Sequence, residues 1–225
     1  MTLTEGQLRK AAKWFFGRAK DLFSKKRETE KEKKKSGNIT DLKDISSKMY
    51  NFNLYMTLYP DPLYKDTLPV YDQLPLFFPI SMTGAAHGSG PKIQGLNIHY
   101  LSPANRKVFM QEILFVIKKN AVRAGYDPDT LDDIPPTVIN GWVGKYINAV
   151  YSQQQKSAGS KIKVAYRSYL LNRIKGKMIK IKFSEWDNAV NVVLPRFKKM
   201  SPSATYQYVN EQYAKYKNNP WGPLR

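Results

Sequence analysis

Residues 95–101 read Gly95-Leu96-Asn97-Ile98-His99-Tyr100-Leu101, with Leu96, Ile98 and Tyr100 alternating against Asn97 and His99. A period of two marks a strand with one buried face. Ser102-Pro103 follows at once. A serine before a proline is an N-cap followed by a residue suited to the first helical position, because proline lacks only a donor that would be orphaned there anyway. The strand therefore passes directly into a helix. That helix is expected to run to about Ala124, with Gly125 as its stop. Its inward stripe is Val108, Phe109, Ile113, Val116 and Ile117.

Working outward toward the N-terminus, Leu74–Ile80 is apolar but carries Pro75 and Pro79. Proline cannot donate to a ladder, so this reads as an edge strand or extended segment and not a central one. Gly84–Gly90 is a flexible loop, Tyr59-Pro60-Asp61-Pro62 is a turn, and Met49–Tyr55 alternates as a strand. Toward the C-terminus, Asp127–Pro136 reads as a connecting loop and Thr137–Gln155 as mostly helical, with Val143, Tyr146, Ile147, Val150 and Tyr151 inward. Ile162–Ile174 is expected to be a basic, tyrosine-containing helix. Met178–Phe183 alternates Ile179, Ile181 and Phe183 against Lys180 and Lys182. Ser184 is expected to cap a short helix to Val190 with Asp187 at the capping-box position, and Ser201-Pro202 to open a last helix to about Lys217. The fold class is α+β: a small antiparallel sheet with several packed helices, plus an N-terminal amphipathic helix.

That N-terminal helix is Leu8–Phe23, where Leu8, Ala11, Ala12, Phe15, Phe16, Ala19, Leu22 and Phe23 form one stripe and Arg9, Lys10, Lys13 and Lys20 lie opposite. Such a stripe suits docking on a partner, lying on a membrane surface, or packing on its own domain, the commonest of the three. Residues 25–47 read as a charged linker or a frayed extension of the helix. The division is then residues 1–24 as the basic helix, 25–47 as linker, 48–200 as an α+β domain, and 201–225 as a C-terminal helix with a Pro/Trp tail.

The 225-residue chain carries 37 Lys and Arg against 18 Asp and Glu, a formal net charge of +19. The excess is uneven. Residues 1–48 hold 14 basic and 7 acidic side chains, residues 49–135 hold 7 and 8, and residues 136–225 hold 16 and 3. A neutral middle between two basic ends points to a polyanionic partner. The densest stretch is Lys161, Lys163, Arg167, Arg173, Lys175, Lys177, Lys180 and Lys182, eight cations with no acid among them. Tyr166 and Tyr169 are interleaved with Arg167 and Arg173. Cations beside aromatics suit a phosphate backbone with stacking on an unpaired base or a terminal pair. These ten residues are the expected DNA-binding set. Nothing resembles a helix-turn-helix, zinc finger or RNP motif, so recognition is expected to be of backbone and shape.

Several chemistries lack their residues. Cysteine is absent, which removes disulfides, thiol nucleophiles and cysteine-ligated metals, and two histidines cannot make a three-histidine metal site. Asp127, Asp129, Asp132 and Asp133 sit among Pro128, Pro135 and Pro136 and read as turn and capping residues. Gly88-Ser89-Gly90-Pro91-Lys92 lacks the spacing of a phosphate loop. His99 reads as a structural, hydrogen-bonded histidine, and no Ser/His/Asp arrangement is visible. The expectation is no enzyme, no catalytic or metal site, no cofactor and no small-molecule substrate. No apolar run approaches the ~20 residues of a membrane span, and no signal peptide is evident.

Short blocks in a fixed order carry a family resemblance. They are Met49-Tyr50, Tyr59–Lys65, Leu68-Pro69-Val70-Tyr71-Asp72-Gln73-Leu74-Pro75-Leu76, and Gly95–Leu101 with Pro103 and Arg106. Tyr166–Leu170, Lys177-Met178-Ile179, Glu185-Trp186 and Leu194-Pro195 through Phe197 continue the series. Together they resemble the DNA end protector (head completion) proteins of contractile-tailed bacteriophages, over roughly residues 48–197. Val70, Gln73 and an enlarged loop at 84–90 depart from the pattern. The resemblance implies a virion protein of the head or neck, also met in the host cytoplasm during assembly and after injection. It would bind the ends of packaged double-stranded DNA, shield them from host exonuclease and help complete the head before tail joining. Its partners would be DNA ends and phage head or neck proteins, with no membrane. The alternative is a purely structural neck protein docking on acidic capsid or portal proteins. The shared blocks are rich in core and turn residues and read as fold determinants.

Overall fold

The computed structural model describes residues 4–24, 38–39, 45, 52–63, 65–84, 90–156, 165–191 and 197–216. Helix α1 is Glu5–Phe23 and strand β1 Tyr55–Leu58, followed by β2 Tyr71–Asp72, β3 Leu76–Thr83 and β4 Lys92–Asn97. Then come α2 Pro103–Arg123, α3 Pro136–Lys156, β5 Tyr166–Leu170, β6 Lys175–Lys180, α4 Trp186–Val190, β7 Phe197–Lys198 and α5 Pro202–Tyr216. The fold is α+β, with an antiparallel five-stranded sheet in the order β5-β4-β3-β1-β6 and a small sheet of β2 with β7.

The strand-to-helix passage is as the sequence indicates, with one refinement. β4 ends at Asn97, and Ile98–Tyr100 is a turn of 3-10 helix, so His99 leaves the sheet. Asn97 stops the strand with its own side chain, which accepts from the His99 N–H. Ser102 then caps α2 by accepting from Asn105, and Gly125 follows the helix in the left-handed region at φ 80°. Within α2, Phe109, Ile113 and Ile117 are buried, while Val108 is exposed, one residue off the stripe.

Four other expectations are corrected. Leu74–Ile80 is not an edge: β3 is the third of five strands. Pro79 is tolerated there because its carbonyl, and hence its missing donor, faces the β1 side, where β1 has already ended. That carbonyl accepts from Phe52, and the register with β4 shifts between Pro79 and Ser81. The strand expected at Met49–Tyr55 begins only at Tyr55; residues 46–51 lie outside the described residues. The basic helix expected at Ile162–Ile174 is instead strand β5, pairing with β4 from Lys92↔Leu170 to Leu96↔Tyr166, followed by a 3-10 turn at Leu171–Arg173. Its run of aromatic and branched residues favours a pleated surface, and cross-strand burial prevailed over helical spacing. Ser184 does not cap α4; its hydroxyl and N–H both bond Asp132, and Glu185 stands at the cap.

Both faces of the sheet are covered. Leu54, Met56, Leu76, Phe78, Leu96 and Ile179 point into the main core beneath the helices. The alternate residues Tyr55, Phe77, Ile93, Tyr169 and Met178 form a second core with Ile39, Ile45, Tyr59 and Ile174. Ile39, within the stretch read as a linker, bridges Met178.

The second core is enclosed because the sheet curls. β5 and β6 are its two outermost strands and run in the same direction, yet only Leu171–Ile174 joins them. Such a link reaches about 18 Å at most. Four strand spacings in a flat sheet are about 19 Å, before the link returns along a strand length. Curling brings Tyr169 of β5 to 5.1 Å, ring centre to ring centre, from Tyr59 beyond β1.

Helix α1 lies on this domain. Thr4 and Gln7 form a capping box at its start, and Phe15, Ala19 and Leu22 enter the main core. Trp14 and Arg18 both donate to Glu185 at the start of α4. Phe16 and Phe23 stay exposed.

Candidate nucleic-acid interface

Sequence alone grouped ten residues between Lys161 and Lys182, and the fold separates them. Lys161 and Lys163 lie outside the described residues. Tyr169 is 4% exposed: its ring packs on Tyr59 and Phe77, and its hydroxyl accepts from Asn97 at 3.0 Å. Burial holds that phenol well above its ordinary pKa. No face of it is free to stack on a base. Tyr166 is half-buried against the main core. Arg167 lays its guanidinium 3.8 Å over the Tyr100 ring and donates to the Tyr166 carbonyl. Lys180 is half-buried, and burial lowers its ammonium pKa. Its charged neighbours are Asp132 and the exposed Lys182.

What remains gathers at one end of the domain. Lys175 pairs with Leu58 at the start of β6, and Gly176 beside it approaches the Leu22 carbonyl at the end of α1. Asp61 follows β1 and accepts from Lys65 at 2.8 Å and from Arg173 at 3.3 Å. Its carboxyl is held below the usual range, first by the Lys65 hydrogen bond and then by the Lys65, Arg173 and Lys175 charges. Lys177 follows two residues on along β6, and Lys20 is exposed in the last turn of α1. Lys65, Arg173 and Lys175 thus surround the carboxylate of Asp61 at the end where β1 finishes and β6 begins, with Lys20 nearby on α1 and Lys177 further along β6. Beside them a cavity of about 350 Å³ is lined by Ala19, Lys20, Phe23, Leu58, Pro60, Gln73 and Leu74.

Lys20 and Lys65 are absent from the sequence-based set. They lie outside its acid-free run, and only the fold closes the distance. The signal that existed was Lys65 in the same short block as Asp61.

The shared blocks are joined by a buried polar cluster. Asp72 Oδ2 accepts from Asn97 Nδ2 at 2.9 Å and from His99 Nδ1 at 2.8 Å, and Oδ1 accepts from the Leu74 N–H at 3.0 Å. That carboxylate fixes the proton on His99 Nδ1. Burial lowers the His99 pKa, against the pull of Asp72, so the ring is neutral. Arg106 is fully buried and donates to the carbonyls of Ile98 and Leu101 and to the Tyr206 hydroxyl. These residues hold the strand-to-helix corner and the C-terminal helix; they are fold determinants.

The acids at 127–133 are also structural. Asp127 accepts from the Asp129 N–H, Asp129 pairs with Lys118, and Asp132 accepts from the Phe183 and Ser184 N–H groups and the Ser184 hydroxyl. Among the described residues no three of His, Asp or Glu are grouped to hold a metal ion, and no helix is long and apolar enough to cross a membrane.

Comparison with known proteins matches residues 9–124 to the family described as Phage T4 terminal DNA protecting protein. No curated protein and no solved structure matches the chain. The match runs from α1 through α2, so the N-terminal helix, which the residue-by-residue resemblance left outside, falls within it. It includes both blocks that meet at Asp72 and covers just over half of the sequence. The chain belongs to the Phage T4 terminal DNA protecting protein family.

Proposed function

We propose that this protein binds the ends of packaged linear double-stranded DNA without making or breaking a bond. It shields those ends from host exonuclease and helps complete the filled head before tail joining. Its place is the head or neck of the virion, and the host cytoplasm during assembly and after injection. The observation that carries the reading is the convergence of Lys65, Arg173 and Lys175 on Asp61 at one end of the domain, with Lys20 nearby at the end of α1. A small cationic tip of this kind covers a duplex terminus better than it tracks a long groove. The test is a binding comparison between open duplex and a covalently closed circle of the same sequence, followed by exonuclease digestion. Preference for the open form and slowed digestion are expected; equal affinity would make this a general DNA binder.

A second reading, docking on acidic head or portal proteins, rests on α2. Val108, Phe115 and Val122 are exposed seven residues apart along one face, with Lys119 beside Phe115. An apolar row flanked by a cation suits an acidic amphipathic partner. This reading requires leaky or unjoined heads when the protein is lost, even in a host lacking the exonuclease.

A further inference from the structure

The cavity beside the cationic tip has a composition that phosphate binding alone does not explain. Phe23, Leu58, Pro60 and Leu74 give it apolar walls, and Gln73 places an amide in them. Phe23 is the residue that stands out: it ends α1 and is 62% exposed, although a large aromatic at the edge of a core ordinarily turns inward. Lys20 lines the same cavity, and Leu58, also in its wall, is the residue paired with Lys175.

We infer that this groove takes the unpaired terminal nucleotide of a DNA end, its base stacked on Phe23 and its phosphate held by Lys20 and Lys175. The inference rests on the DNA-end reading above and adds how an end is told from an interior. Backbone phosphates are the same at both, so clustered cations cannot discriminate. An unpaired base is offered only by an end. Its faces are apolar and its edges polar, which matches apolar walls carrying one amide donor and acceptor. About 350 Å³ is at the small end of ligand sites and has room for one base. Lys20 in the lining and Lys175, paired with Leu58 of the wall, supply the charge that a phosphate requires.

The experiment uses the full chain and two short duplex probes of one sequence. One is a covalently closed duplex minicircle with no unpaired nucleotide; the other is linear and carries an overhang, made in 3′ and 5′ versions. The inference expects tighter binding to at least one overhang probe than to the closed one. Phe23→Ala then lowers that overhang affinity by about tenfold, the loss of one base–aromatic stack, and leaves the closed-probe affinity unchanged. Phe23→Trp restores the preference. A photoreactive iodouracil at the overhang position should crosslink to residue 23. Unchanged overhang affinity in Phe23→Ala, an equal loss on both probes, or a crosslink mapping elsewhere overturns the groove while leaving DNA binding intact. Failure of the wild-type chain to bind any probe overturns both the groove and the end-binding reading.

Discussion

Trp14 Nε1 donates to Glu185 Oε1 at 2.8 Å, across 171 residues of sequence. Arg18 donates to the same oxygen through Nε at 2.9 Å and also through its terminal nitrogen. One carboxylate oxygen therefore fastens α1, at the N-terminal edge of the family match, to α4 in the C-terminal half beyond it.

Replacing that carboxylate tests the fastening. Glu185→Ala strands the Trp14 N–H and a partly buried Arg18, and should lower stability by about 2 kcal/mol. Glu185→Gln keeps an acceptor for Trp14 and should cost roughly half as much. Urea unfolding followed by tryptophan fluorescence measures both.

The buried Asp72–His99 pair makes stability depend on pH. The folded-state pKa of His99 lies below the ordinary value of 6.5. Below 6.5 the unfolded chain therefore binds the proton first, so unfolding becomes more favourable as pH falls. The histidine's contribution is fully present above 6.5 and is lost progressively on acidification. His99→Asn, whose amide can donate to Asp72 from near the Nδ1 position, should flatten this part of the profile. Thermal midpoints measured across a pH series read the difference.

Gly95 has no room for a side chain. A Cβ there would lie 2.5 Å from the Phe78 carbonyl oxygen and 2.9 Å from the Phe77 ring. Gly95→Ala forces β3 and β4 apart at the middle of their ladder and should cost at least about 2 kcal/mol. Calorimetry of the purified variant is the check.

The cationic tip predicts a particular pattern of salt dependence. Lys175→Glu with Lys177→Glu should weaken DNA binding and reduce the slope of log affinity against log salt by about 0.9 for each phosphate left without its cation. Asp61→Asn removes the carboxylate that engages Lys65, Arg173 and Lys175 and should tighten binding. Tyr169→Phe, which loses only a buried hydroxyl, should leave DNA affinity unchanged and lower stability by about 1 kcal/mol. Titrations at several salt concentrations separate these variants.

Local signals placed most elements but not their partners. Ser102-Pro103 and Gly125 delimited α2 because caps act within one turn. Pro79 misled because its cost depends on which neighbour its missing donor faces, and sequence carries no such information. Tyr169 was grouped with cations by its neighbours in the chain, whereas its burial is set by Tyr59 and Phe77, far away in sequence. The interface suffered most. Its charges come from α1, from the segment after β1 and from the start of β6, and only the curled sheet brings these together.

The pairing of β1 with β6 also has a cost in time. Tyr55 and Met56 meet Lys180 and Ile179, so one side of β1 has no ladder partner until the chain has been synthesised beyond residue 180. Pairings of such sequence separation form slowly. The nascent N-terminal half, which carries the family match at residues 9–124, must wait on the ribosome with an open strand edge. An open edge is a template for pairing with other chains. Crowded expression should therefore yield aggregates of truncated chains before it yields aggregates of the finished protein.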